Sequence, residues 1–261
     1  MGKIIAITNQ KGGVGKTTTS VNLSAMIADT GYKTLIVDLD PQGNTTSGLG
    51  MSVSDDNSVY DLLMGRNTYK KCRQDTKVKK LSILGADIRL AGAEVELVDM
   101  EDREFYLKKI LDTVRDQYDF IFIDCPPSLS LLTLNALAAA DSVLIPIQCE
   151  YYALEGVSSL INTVNRVKKT INPHLETEGI LLTMLDGRTN LGLQVVDQVK
   201  KHFKKQVFAT MIPRNVRLGE APSHGEPIHI YDPKSSGAMA YKMLADEVLT
   251  RNGKKVRGGQ K

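Results

Sequence analysis

The chain has 261 residues, of which 42% are apolar and 24% charged, so it can bury a sizeable core and is not disordered throughout. No apolar run approaches the ~18 residues that cross a bilayer, and the short apolar stretch after Met1 does not resemble a secretory signal. The net charge is +3 and the three cysteines are isolated, which argues against a disulfide framework or zinc site and predicts a cytoplasmic protein.

Short apolar runs alternate with helical patterns along the whole chain. The strand candidates are residues 3–8, 33–38, 81–84, 119–124, 142–147, 179–184 and 207–212. The helix candidates are residues 16–29, 101–117, 131–139, 153–170, 191–204 and 236–250. Several strand candidates are apolar on successive residues, which is typical of strands covered by helices on both faces. The alternation therefore predicts an α/β fold that is doubly wound around a mostly parallel sheet.

No repeat or linker divides the chain, so we expect a single domain over residues 1–250. Residues 43–80 are the least regular part of it, with one short helix candidate at 59–64. The last eleven residues, 251–261, hold five of the 33 basic residues and no acid, which leaves 28 basic against 30 acidic residues elsewhere. We expect this Gly/Lys-rich tail to be disordered, either contacting a polyanion or simply solvated. It lacks the apolar face of a membrane-surface helix, so no membrane anchor is expected there.

A glycine-rich loop joins the first strand candidate to the first helix candidate. Its spacing is that of a phosphate-binding loop, except that Gln10 stands where the usual pattern begins with glycine. In such a loop backbone N–H groups and the helix N-terminus face the phosphates, Lys16 reaches the β- and γ-phosphates, and the Thr17 hydroxyl binds Mg²⁺. The predicted nucleotide-binding residues here are Lys11, Gly12, Gly13, Val14, Gly15, Lys16, Thr17 and Thr18.

Acidic residues stand at the ends of two buried strand candidates. Asp38 ends one of them and Asp40 lies two residues further on, while Asp124 ends the other. Ligands of open α/β sheets bind beyond the carboxyl ends of the strands, so these carboxylates are expected beside the phosphates. Asp124 fits an acid that holds Mg²⁺ through water, and Asp38 is a further candidate for the metal shell. The alternative for each is a strand-end cap, because Asp is a common turn former.

Lys11 adds a second lysine to the loop, a pattern typical of the deviant P-loop ATPases. From Met1 to the helix near Tyr241, the chain resembles the ParA/Soj branch of that family, the partition ATPases, whose relatives include MinD. Besides the loop, the matching blocks are residues 38–44, 124–128, 148–156 and 213–218. Because the first strand candidate begins almost at Met1, we expect no N-terminal helix-turn-helix domain like that of the longer plasmid ParAs.

The resemblance implies a switch driven by ATP and Mg²⁺. In the family, ATP closes two subunits face to face, which implies that Lys11 reaches the partner's phosphates and that Gly12 lies at the closest backbone approach. It also implies that Asp40 orients or activates the attacking water, and that Pro213 and Asn215 lie beside adenine.

The resemblance further implies that the ATP-bound homodimer binds double-stranded DNA without sequence preference, through Arg188 and Arg217. Four lysines either extend that basic face or form a solvated helix face: Lys200, Lys201, Lys204 and Lys205. A ParB/Spo0J-type partner is expected to stimulate hydrolysis, in the service of chromosome or plasmid segregation or of replication-initiation control. The expected location is the cytoplasm, on the nucleoid when ATP is bound.

Two other readings stay open. A MinD-like membrane-cycling ATPase would need an amphipathic C-terminal helix, whereas the chain ends in a glycine-broken basic tail. A metabolic enzyme of the same superfamily, such as an iron–sulfur reductase subunit or a synthetase, would need cysteine ligands or a substrate pocket. Cys125 and Cys149 lie in strand-end motifs, but neither has a second cysteine at ligand spacing.

Overall fold

The computed structural model describes residues 1–150 and 153–256. These residues form one seven-stranded sheet with helices packed against it. The strands are β1 (Lys3–Ile7), β2 (Thr34–Asp38), β3 (Arg73–Asp75), β4 (Leu81–Leu84), β5 (Phe120–Asp124), β6 (Ser142–Gln148) and β7 (Glu176–Thr183). Their order is β3-β4-β2-β5-β1-β6-β7, and only β3 runs antiparallel to its neighbour. The predicted doubly wound, mostly parallel sheet is confirmed.

Helices cover both faces of this sheet. They are α1 (Lys16–Asp29), α2 (Asn44–Gly48), α3 (Val59–Leu63), α4 (Tyr69–Cys72), α5 (Leu90–Glu96), α6 (Tyr106–Val114), α7 (Leu131–Ala139), α8 (Ala153–Thr170), α9 (Asn190–Phe203), α10 (Val216–Glu220), α11 (Ile228–Tyr231) and α12 (Ser236–Arg251). Except for α6, the long helices match their predicted bounds closely, whereas β3 and the short helices α2, α4, α5, α10 and α11 were not predicted. None of the described helices has the length and hydropathy needed to cross a membrane.

The core lies on the two sides of the sheet as separate apolar clusters. In β1, Ile4 and Ala6 pack in one cluster while Ile5 and Ile7 pack in the other, and all four side chains are fully buried. Burial on both faces explains why this strand is apolar at successive positions. The carboxyl ends of β1, β2 and β5 consequently lie side by side in a rigid sheet, with Asp38 and Asp124 as register partners.

Two predicted elements differ from the structure. The helix expected at 101–117 begins only at Tyr106, because Asp102 has a left-handed backbone (φ 54°) and residues 102–105 form a turn. The strand expected at 207–212 is not one. Phe208 N and Ile212 N do bond to the edge of β7, but Ala209 N and Thr210 N donate to the Glu247 carboxylate of α12 at 2.8 and 2.9 Å. That side chain draws the middle of the segment away from the sheet.

The C-terminal helix continues one residue into the predicted tail. Arg251 donates to Val207 O at 3.0 Å and to Glu247 at 2.7 Å, and its guanidinium lies 4.0 Å from the Phe208 ring centre. Beyond it, Lys254 N donates to Leu249 O and Lys255 O accepts from Tyr32 Oη. The described part of the tail therefore contacts the domain. Residues 257–261 lie outside the described residues, and disorder of the tail stays a prediction.

Candidate nucleotide-binding site

The glycine-rich loop turns sharply between β1 and α1. Gly13 and Gly15 have φ of 73° and 86°, in the left-handed region that residues with a Cβ adopt only at a cost in energy. Val14 between them is buried, and its carbonyl accepts from Thr183 Oγ1 at 2.9 Å. The loop is thus fixed on β7, and α1 begins at Lys16 with its N-terminus facing the loop.

The two lysines of the loop point in different directions. Lys16 is buried, and its ammonium folds back to donate to Lys11 O at 3.0 Å. Burial lowers the pKa of Lys16, an effect that the nearby Asp124 charge opposes. Lys11 is half-exposed, and its ammonium lies 3.1 Å from Glu150 Oε2, on the surface of the protomer. Among the described residues, the Lys16 ammonium therefore contacts the loop of its own chain, whereas the Lys11 ammonium contacts Glu150 outside it.

Asp124 lies at the end of β5, fully buried, and is held by three hydroxyl groups. Thr17 Oγ1 and Thr45 Oγ1 donate to its Oδ2 at 2.9 and 2.7 Å, and Ser20 Oγ donates to its Oδ1 at 2.8 Å. Burial raises the pKa of Asp124, while these hydrogen bonds act in the opposite direction. The arrangement brings together Thr17 and Asp124, two of the three residues predicted to serve the metal.

Ser20 and Thr45 were missed by the sequence analysis. Ser20 lies three residues after Thr17, hence on the same face of α1, and this spacing could have revealed it. Thr45 belongs to the irregular segment after Asp40, and no local pattern marks it.

Asp38 and Asp40 have different surroundings although they are two residues apart. The Asp38 carboxylate is buried and accepts from Thr46 N, Thr46 Oγ1 and Asp40 N. Burial and the neighbouring Asp124 raise the pKa of Asp38 to about 7. Through these contacts Asp38 stabilises the loop over residues 40–46. A role of Asp38 in binding the metal stays a prediction. Asp40 accepts from Gln42 N and faces a cavity.

That cavity, of about 360 Å³, is lined by the glycine loop together with Lys16, Thr17 and Asp40. An adjoining cavity of about 340 Å³ shares Gly15, Thr18 and Met184 with it and is lined further by Pro213 and Asn215. Tyr241 and Leu218 make this second cavity more apolar. A polar cavity joined to an apolar one suits phosphates on one side and a nucleobase on the other.

Two relatives are similar to this chain over nearly its whole length. The sporulation initiation inhibitor protein Soj of Bacillus subtilis (strain 168) is 60% identical over 249 residues, which are 95% of this chain and 98% of that protein. The chromosome-partitioning ATPase Soj of Treponema pallidum (strain Nichols) is 54% identical over 255 residues, 98% of this chain and 100% of that protein. A family model described as an AAA domain also matches residues 2–177. The chain belongs to the ParA/Soj family of chromosome-partitioning proteins.

Among solved structures, this ParA/Soj chain is similar to cobyrinic acid a,c-diamide synthase from Mycobacterium smegmatis. The TM-score is 0.85 at 36% identity, and the match covers 100% of both chains. That protein was crystallised with ADP and magnesium, and also with an ATP analogue and magnesium. That protein is a synthase by name, but its identity to this chain is far below the 60% of Soj.

The structure places the two predicted DNA-binding arginines in exposed positions beyond the carboxyl ends of the strands. Arg188 has 90% of its side chain exposed and forms a two-point ion pair with Asp186, which lowers the pKa of Asp186 to about 2. Arg217 lies at the start of α10 and contacts Glu220 at 2.8 Å and Asp232 at 3.5 Å. Neither contact tests DNA binding, which stays a prediction for both arginines.

The described residues contain no group of three or more His, Cys, Asp or Glu side chains placed to hold a metal ion among themselves. Cys125 and Cys149 are both buried, and burial raises the pKa of each thiol, that of Cys149 to about 11. Thiolates are the form that binds iron or zinc, so these surroundings disfavour a cluster. Of the family block at 148–156, Tyr151 and Tyr152 lie outside the described residues.

Proposed function

We propose that this protein is an ATP-dependent switch for chromosome or plasmid segregation. It binds ATP with Mg²⁺, closes into a homodimer, binds double-stranded DNA without sequence preference, and hydrolyses ATP when a ParB/Spo0J-type partner stimulates it. The observation that carries this proposal is the position of Lys11, whose ammonium lies outside its own nucleotide cavity on an exposed surface.

The residues at the site fit a magnesium nucleotide. Asp124 is a buried carboxylate ringed by hydroxyls, one of them from Thr17, and such hydroxyls and carboxylates are the ligands that Mg²⁺ takes directly or through water. Bound there, Mg²⁺ would neutralise charge on the β- and γ-phosphates. Lys16 would leave the Lys11 carbonyl to contact the same phosphates, and the apolar cavity at Pro213 and Asn215 would take adenine.

Asp40 is the residue that we assign to the attacking water. Its carboxylate lies in the wall of the phosphate cavity, and Gln42 N fixes one of its oxygens at 3.0 Å. The other oxygen has no hydrogen bond among the described residues. It is therefore available to orient a water or accept its proton.

Dimerisation follows from the charges of the loop. Lys16 alone balances part of a triphosphate's charge, and Lys11 is held only by an exposed ion pair, of a kind that contributes about 0–1 kcal/mol. A partner's triphosphate offers Lys11 a stronger and less solvated site. ATP binding thereby raises the affinity of the two subunits for each other, because the nucleotide stabilises the closed dimer more than the separate chains.

Gly12 allows a specific prediction about this contact. A Cβ built on Gly12 has no atom of its own chain within 4 Å, and its φ is not in the left-handed region, so Gly12→Val should leave the monomer and its ATP binding close to parental. Against a second backbone the added side chain would cost about 1–3 kcal/mol, which weakens the dimer about 5- to 150-fold. Light scattering with a non-hydrolysable ATP analogue measures this loss of dimer affinity.

Gly13→Val is the contrasting variant. It makes the same change one residue later, but at a φ of 73°, so it should disturb the loop and weaken ATP binding itself. A Gly12→Val protein that dimerises as tightly as the parent would show that the loops do not meet.

DNA binding is tested by co-sedimentation with plasmid at about 150 mM salt, without nucleotide, with ADP and with ATP. At this salt concentration we expect strong retention only with ATP, and Arg188→Glu should reduce it at least about tenfold because each contact that is lost acts twice in a dimer. ATP binding should be unchanged, since Asp186 is the only described residue that pairs with the Arg188 side chain.

Arg166→Glu is the control, because Arg166 is exposed on α8 and has no ion pair among the described residues. Equal retention of Arg188→Glu and Arg166→Glu would remove Arg188 from the DNA surface. Anionic vesicles replace the plasmid in a parallel experiment. ATP-dependent binding to vesicles and not to plasmid would contradict the proposal in favour of a MinD-like cycle.

A further inference from the structure

The sheet edge opposite the nucleotide site has a strong positive charge. Residues 66–80 contain seven basic residues and one acid, although the whole chain has a net charge of only +3. This segment forms α4, the edge strand β3 and the turn into β4. We define the basic edge as the following residues of this segment and the start of β2: Lys33, Lys70, Lys71, Arg73, Lys77, Lys79 and Lys80.

A groove of about 710 Å³ runs along the basic edge and is larger than either part of the nucleotide site. Lys33, Lys70, Arg73 and Lys80 line it, against a single acid, Asp75. Lys33 and Lys80 directly precede β2 and β4, so the groove lies at the amino ends of the parallel strands. The nucleotide cavities lie beyond the carboxyl ends of these strands, at the opposite end of the sheet.

The Arg73 side chain is held by contacts within the fold, whereas the lysine side chains of the basic edge have few such contacts. Its guanidinium donates to Tyr118 Oη at 3.2 Å and to Ser82 Oγ at 2.7 Å, and it also pairs with Asp75. Within the described part of the chain, by contrast, no acid pairs with any lysine of the basic edge. Except for Lys80, which donates to Gly31 O, their ammonium groups have no hydrogen bond there either.

The C-terminal segment adds charge at the same place. Lys254 lies 3.8 Å from Asp119, whose other oxygen accepts from Lys33 N, and Tyr32 Oη holds the carbonyl of Lys255. Lys254 and Lys255 of the predicted basic tail therefore lie beside the basic edge. Two acids contact cations at this surface: Asp75 pairs with Arg73, and Asp119 pairs with Lys254.

We infer that the basic edge is a second binding surface for the phosphate backbone of double-stranded DNA. Exposed lysines from two separate segments, without acidic partners among the described residues, match a ligand that repeats its negative charge along its length. The groove has no exposed aliphatic side chain from residues 66–80 that would insert into a lipid surface. The inference rests on the proposed function only for the identity of the ligand as DNA.

The position of the surface separates it from the arginine surface of Arg188 and Arg217. Those arginines follow the carboxyl ends of the strands, so the two surfaces face different stretches of DNA. The basic edge is complete in one protomer and includes no residue of the nucleotide loop. It therefore binds DNA weakly without ATP, and the ATP-closed pair presents it at both outer ends.

The test is the affinity of the nucleotide-free protein for a fluorescent duplex between about 20 and 150 mM salt. Lys33→Gln/Lys70→Gln removes two exposed, unpaired lysines of the groove, and Lys168→Gln/Lys169→Gln removes two exposed lysines of α8 as the control. We expect the groove variant to lower the slope of log affinity against log salt by about 2 and the affinity at about 50 mM salt at least tenfold. The control should match the parent.

Equal behaviour of the groove variant and the control would overturn the inference. So would loss of binding to phosphatidylglycerol vesicles with DNA binding retained, which would assign the surface to a membrane. If the parent binds DNA only with ATP and Arg188→Glu removes that binding, the proposed function stands and the basic edge fails. If the parent does not bind DNA under any of these conditions, both fail. ATP binding by the groove variant verifies its fold.

Discussion

Asp40→Ala should bind ATP and dimerise like the parent but hydrolyse ATP about 10²- to 10⁴-fold more slowly, the usual contribution of a positioned general base. The proposed phosphate contacts do not depend on this carboxylate, because they are assigned to Lys16, Thr17 and the loop N–H groups. Without hydrolysis the ATP dimer should persist. The measurements are phosphate release in a single turnover and light scattering in excess ATP.

Two comparisons make the Asp40→Ala result specific. The variant also loses the hydrogen bond to Gln42 N, which stabilises the loop by about 1 kcal/mol, so a thermal melt should show only a small change. Asp116→Ala removes an exposed carboxylate from the far side of the sheet and should hydrolyse at the parental rate. A variant that stays monomeric in excess ATP, or that hydrolyses normally, would contradict the role assigned to Asp40.

The part of the site that could be predicted from the sequence is the part carried by contiguous residues. The loop between β1 and α1 fixes phosphate geometry through backbone and near neighbours, so Gly13, Gly15, Lys16 and Thr17 follow from spacing alone. Asp124 follows because a buried strand ends on it. Pro213 and Asn215 came from family resemblance, and the structure does place both in the cavity that adjoins the loop.

What the sequence could not predict depends on contacts between distant segments. Thr45 reaches Asp124 across 79 positions, and Glu150 reaches Lys11 across 139. The segment 207–212 has the composition of a strand, but the carboxylate of Glu247 binds two of its N–H groups, and no local pattern encodes that competition. The basic edge also escaped prediction, because β3 is only three residues long and because the fold brings Lys33, from a distant segment, to the same groove as Lys70 and Lys80.

Lys11→Ala is the variant with the most far-reaching expected effect, because it should abolish ATP-dependent dimerisation and with it DNA binding through the arginine surface. Truncating one partner of a desolvated charge contact costs about 2–5 kcal/mol, or about 30- to 5,000-fold in the dimer dissociation constant. The monomer should be unaffected, since the Lys11–Glu150 pair is about half exposed on both sides and contributes about 0–1 kcal/mol.

Glu150→Gln is the control that separates the two roles of Lys11, because it breaks the same ion pair but keeps the ammonium group. It should dimerise with ATP at least as tightly as the parent, since Lys11 no longer leaves an acid to reach the partner's phosphates. Light scattering and plasmid co-sedimentation of both variants measure whether dimerisation and DNA binding depend on the Lys11 ammonium or on its ion pair with Glu150. If Lys11→Ala self-associates and coats plasmid as strongly as Glu150→Gln, the charge that couples ATP to dimerisation must come from another residue, since Lys16 is already committed to its own loop.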